Sequence, residues 1–113
     1  MKPKLNDFAE LVAKANDKFM AAHKEIDNKP FDTLMGIIDK ALRNQGMMAD
    51  AVTLDAVVLN KKLVFLLPDI DPDLVEVAFG NKHGDIFEKQ RHSLSGLDVD
   101  AIYRIIEQYF LGH

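Results

Sequence analysis

The chain predicts an α+β domain: two N-terminal helices, a four-stranded antiparallel sheet made of two hairpins, and a C-terminal helix, with the helices mainly on one sheet face. Three observations lead there. Apolar residues recur at steps of three and four through the N-terminal segment. Between residues 50 and 94 the period falls to two, with turn-forming residues separating the runs. Beyond residue 97 the helical spacing returns. A chain of 113 residues buries roughly 65% of its unfolded surface on folding, so a single domain over 1–113 is expected.

The first helix is read from Leu5, Phe8, Val12, Ala15, Phe19, Ala22 and Ile26, which hold a 3.5-residue period without a break. With Leu11 they cover an arc of roughly 120°, the width a helix presents to a globular core. Lys14, Asp17, Lys18 and Lys24 lie on or beside the solvent side. Asn28-Lys29-Pro30 ends the helix, because proline cannot continue it and constrains the residue before it. A seam this long must be buried against the chain's own core or against a second molecule. In the second case Phe8, Val12, Phe19, Met20 and Ile26 are the expected interaction surface, and a homodimer built on the paired helix is the expected assembly.

A second helix is expected from Phe31, Leu34, Met35, Ile38, Ala41 and Leu42, with Pro30 near its first turn and Gly46 closing it after Arg43. Gly36 falls inside it and is read as a point of close approach to the first helix. Two strands follow. Val52, Leu54, Ala56 and Val58 alternate, and Leu63 to Leu67 is apolar on both parities, with Asn60-Lys61-Lys62 as the turn between them.

Pro68-Asp69-Ile70-Asp71-Pro72 reads as a loop, since two prolines remove two ladder donors. Val75, Val77 and Phe79 form a third strand. Gly80 to Gly84 make the next loop, and Asp85 to Leu94 return as an edge strand defended by charge. Ser95-Gly96-Leu97-Asp98 has the form of a capping box. The last helix carries Val99, Ile102, Ile105, Ile106, Tyr109 and Phe110 on one face, and Gly112 fits its C-cap.

Composition narrows the function. The absence of cysteine removes disulfides and thiolate metal sites and favours a reducing compartment. Asn6, Asp7 and Glu10 stand where a signal peptide needs an apolar stretch. The apolar run Leu63 to Leu67 is far short of the ~20 residues a membrane helix needs. A cytoplasmic protein without a membrane partner is expected. The net charge of −4 opposes sequence-independent binding to nucleic acid, which depends on Lys and Arg neutralising phosphates. Residues 50–79 hold six Asp/Glu against two Lys/Arg, so the acidity is central.

Two clusters invite a chemical reading. Asp69, Asp71 and Asp73 alternate along a proline-bounded loop, the arrangement that gathers oxygen ligands for a divalent cation. The match to a calcium loop fails at Pro72, at Leu74 where glycine belongs, and at Gly80 where the closing glutamate belongs. A solvated turn is the weightier reading. His83, Lys89, Arg91 and His92 could form a basic patch for a phosphate or an acidic segment, with Lys89 and Arg91 on one strand face and His92 on the other. A protective edge strand is the competing reading.

The four histidines show no paired metal spacing, and no nucleophile elbow or phosphate-binding glycine loop is present. No cofactor is expected. The functional expectation is a non-enzymatic, adaptor- or chaperone-like protein-interaction module that forms a homodimer. The alternative is a small-molecule binder or modest enzyme, with a pocket between helices and sheet that uses His83 or His92 and the Asp69–Asp73 loop.

Overall fold

Helix α1 (Pro3–Ala22) lays its seam on one face of an antiparallel sheet, and helix α3 (Val99–Leu111) lies beside it. The computed structural model describes residues 3–23, 25–26, 29–30, 33–38, 41–81, 83 and 85–112. Leu5, Phe8, Val12, Ala15 and Phe19 are at most 1% exposed. They join Phe65, Val77, Ile102, Ile106 and Phe110 in one buried cluster. Phe8 meets Phe65 edge-on at 5.7 Å between ring centroids, and Phe19 meets Phe110 at 6.0 Å.

From Leu5 to Phe19 the seam is therefore core of the chain itself. The helix ends at Ala22 rather than at Ile26. Twenty residues span ~30 Å, and Ala21 and Ala22 at the end are already exposed, so the last turn has run past the core. Beyond it, β1 (Glu25–Ile26) and β2 (Lys29–Pro30) pair as a separate two-stranded ribbon.

The main sheet has five strands, not four. Its order is β3 (Leu34–Ile38), β4 (Ala49–Ala56), β5 (Lys61–Pro68), β6 (Leu74–Gly80) and β7 (Ile86–Ser93), each antiparallel to its neighbour. The extra strand is the segment read as a second helix, of which only the turn α2 (Ala41–Asn44) is helical among the described residues. Positions 31, 32, 39 and 40 of that expected helix lie outside them. Leu34 to Ile38 is apolar throughout apart from Gly36, so period alone cannot separate strand from helix. The glycine and two adjacent isoleucines weigh against helix, and β4 offers a ladder to join.

At α3 the Asp98 carboxylate accepts from the Ala101 N–H at 2.8 Å. The expected capping partner, Ser95, lies instead in a short 3₁₀ turn (Leu94–Gly96), and its N–H donates to Asp73. Gly112 closes the helix at φ 75°, and Lys61 Nζ donates to the Tyr109 carbonyl at 2.9 Å. No helix among the described residues is long and apolar enough to cross a membrane.

The sheet has two unlike faces. Register places Val52, Leu54, Leu63, Phe65, Val75 and Val77 under α1 and α3. It places Ile38, Ala51, Thr53, Val64, Leu66 and Ala78 on the opposite face, which neither long helix covers.

Candidate functional site

That second face carries a groove of about 210 Å³. Small residues make its floor: Ala51 and Thr53 from β4, Ala78 and Gly80 from β6. Val64 and Leu66 of β5, both half-buried, run between them. Ile38 and Leu42 stand at one side and Ile86 at the other. Short side chains on three central strands, flanked by longer ones, make a concave strip in an otherwise flat pleated surface.

Each wall is held by its own polar contacts. Leu42 sits on α2 next to Arg43, whose guanidinium makes two bonds to Asp69, Nη1 to Oδ2 at 2.5 Å and Nη2 to Oδ1 at 2.8 Å. The same guanidinium reaches Asp50 Oδ1 from Nε at 3.2 Å and from Nη2 at 3.0 Å. The bonds to Asp69 and then Asp50 raise the Arg43 pKa well above its ordinary value. Asp50 is 4% exposed, and the guanidinium offsets part of the cost of burying its carboxylate. The clamp ties α2, and with it the Leu42 wall, to the ends of β4 and β5.

At the other side the chain turns tightly from β6 into β7. Asn81 donates from its backbone N–H to the Asp85 carbonyl at 3.1 Å, and from Nδ2 to the Asp85 carboxylate at 3.0 Å. A Cβ on Gly80 would lie 2.2 Å from the Asp85 carbonyl oxygen, so only glycine permits this approach. The Gly80 carbonyl accepts from the Tyr109 hydroxyl at 2.6 Å. Lys62, at the rim, stands 3.8 Å from Asp55.

The residues singled out in the sequence fall elsewhere. Phe8, Val12 and Phe19 are buried among the chain's own strands and helices, and Met20 is half-buried, its sulfur accepting from Asn16. The side chain of Ile26 lies outside the described residues. The three aspartates are engaged separately. Asp69 pairs with Arg43, Asp71 accepts from the Asp73 N–H at 3.0 Å, and Asp73 accepts from the Ser93 hydroxyl and the Ser95 N–H. Those bonds, the Ser93 hydroxyl first, hold the Asp73 carboxyl below its ordinary range. Among the described residues no three His, Asp or Glu side chains gather as a metal site would.

Lys89 and Arg91 face the groove side of β7, opposite Ala78 and Glu76, with Arg91 Nε 3.6 Å from the Glu76 carboxylate. His92 is on the helix side, opposite Val75, its Nε2 3.1 Å from the Gln90 side-chain oxygen Oε1. His83 is in the loop before β7, roughly 20 Å along the strand from His92 at 3.3 Å per residue. The two histidines therefore do not converge, whereas His92 adjoins Ser93, whose hydroxyl bonds Asp73 of the acidic loop.

Sequence reasoning missed the groove. Its signal was present in Leu63 to Leu67, apolar on both parities, which is the pattern of a strand whose two faces both expect cover. Comparison of the chain with family models, with curated proteins and with solved structures gives no match.

Proposed function

We propose that this chain is a non-enzymatic protein-interaction module of the cytoplasm, and that it receives an apolar segment of another protein on the uncovered sheet face. The observation that carries the reading is the groove itself. A five-stranded sheet with helices on one face leaves Ile38, Val64 and Leu66 toward solvent on the other, where a monomeric protein normally places polar residues. An extended segment with large apolar side chains at alternate positions matches a pleated floor of small residues.

The small-molecule alternative is less well supported. About 210 Å³ is below the roughly 300–1,000 Å³ usual for ligand pockets. Among the described residues no histidine lines the groove, and the one carboxylate that does, Asp85, is bonded to Asn81.

A displayed random peptide library provides the test. Selected peptides should carry alternating large apolar residues, and Leu66→Lys, placed opposite Glu76, should weaken them about tenfold or more, each tenfold being 1.4 kcal/mol. Arg91→Glu, at the exposed edge, should not. Failure to enrich any peptide, or binding indifferent to Leu66→Lys, would sink the reading.

A further inference from the structure

The two edges of the sheet are written differently. β7 opens on the exposed Ile86 and Phe87, but from Glu88 to His92 it carries Glu88, Lys89 and Arg91, the charge that keeps an edge from pairing. β3 carries Leu34-Met35-Gly36-Ile37-Ile38 and no charge at all. It is apolar on both faces, as strands in the middle of a sheet are, yet it is an edge and none of its residues belongs to the buried core. Leu34 is 58% exposed and Ile37 40%.

Going beyond the interaction-module reading by naming a second partner, we infer that the occupant of this edge is a second copy of the chain, with β3 paired antiparallel to its counterpart about a two-fold axis at Gly36. The strand is self-complementary in that register. Leu34 meets Ile38 of the other copy, Met35 meets Ile37, and Gly36 meets Gly36, so every cross-strand pair is apolar or glycine and no charge is buried. The homodimer expected from the sequence thus moves from the helical seam, which is core, to the sheet edge. Two five-stranded sheets become one continuous sheet, and β3 becomes central in it.

Exposed apolar side chains also gather at both ends of the strand. Val57 and Val58 follow the β4 end that faces Leu34, and Met47 and Met48 precede the end that faces Ile38. With Leu34, Met35 and Ile37 these are seven large side chains between 38% and 59% exposed. At roughly 60–120 Å² of apolar surface per side chain, about 300 Å² per copy remains to be buried. Adding the paired backbones brings the contact to the low end of specific interfaces, under roughly 1,200 Å² in total. The dimer is therefore expected to be concentration-dependent.

The test is the solution mass of the full chain from about 1 to 200 μM, by sedimentation equilibrium and with no peptide present, a range set around the micromolar affinity that such an area commonly gives. The expected result is a monomer–dimer equilibrium that Ile37→Lys abolishes without changing the circular dichroism spectrum. A second experiment reads the register. The chain has no native cysteine, so Met35→Cys and Ile37→Cys variants should form a disulfide with each other on mixing, and faster than either does alone. A monomer at every concentration, a dimer indifferent to Ile37→Lys, or cross-linking without preference for the mixed pair overturns the inference. Because no peptide is involved, none of these results touches the groove reading, which stands or falls on Leu66→Lys.

Discussion

Gly36 lies directly across from Thr53, and a Cβ on it would stand 2.8 Å from the Thr53 Oγ1. The missing side chain lets β3 pair over a threonine that is 5% exposed. Thr53 is β-branched and stiff at χ1, so Gly36→Ala should force it off its rotamer at a cost of about 0.5–1.5 kcal/mol. In a Thr53→Ala background the same change should cost nothing or stabilise, by reducing unfolded-chain entropy. Urea titration of the four species reads the coupling; simple additivity would show that the two residues do not contend for space.

Arg43 stands between Asp50 and Asp69 as their shared cation. Arg43→Ala leaves the Asp50 carboxylate buried without it and frees α2. It should lower the melting temperature more than the double variant Arg43→Ala/Asp50→Ala does, since the second change also removes a buried carboxylate that has lost this cation. Peptide binding in the groove should weaken in both, because Leu42 loses its anchor. Equal melting temperatures for the single and double variants would show that the burial of Asp50 does not matter.

Phe19 is fully buried, its ring 6.0 Å from that of Phe110 and 6.3 Å from that of Tyr103. Phe19→Ala should cost about 3–5 kcal/mol, and Phe19→Asp should leave the chain unfolded. Denaturation with guanidinium chloride checks the first. A folded Phe19→Asp variant that had merely lost a partner would return the seam to the role of an interface.

Asp73 supplies a pH dependence. Its carboxyl is held below the ordinary 3.8 by the Ser93 hydroxyl and the Ser95 N–H. A depressed folded pKa means stability that is present above the unfolded value and lost as pH falls through the folded one. The melting-temperature gap between the native chain and Asp73→Asn should thus be constant above about pH 5 and close as pH drops below the carboxylate range. A gap that persists unchanged at about pH 2 would mean that the charge plays no part.

Much of the fold was legible because side-chain direction is a local property. The steps of three and four from Leu5 to Phe19 and from Val99 to Phe110 specify a helix face wherever the helix lands. The alternation at Val52–Leu54–Ala56 and Val75–Val77–Phe79 specifies a strand face in the same way. Leu34 to Ile38 was not legible, since an apolar stretch without polar interruptions satisfies either period and only the neighbouring ladder of β4 decides it. The site was less legible than the fold. Asp69 and Arg43 are far apart in sequence, and nothing local to the acidic loop announces that one of its carboxylates is already paired.

By itself, then, the sequence determined the two amphipathic helices, the two hairpins β4–β5 and β6–β7 and the charged strand β7. Each follows from periodicity and local turn chemistry within a few residues. The tertiary structure alone decided that the helical seam is core, that the strands run in the order β3-β4-β5-β6-β7, and that Val64 and Leu66 are left as a groove on the face away from the long helices. The reason is physical: a strand with apolar residues on both parities presents two equivalent faces, and which is covered depends on where elements distant in the chain come to rest.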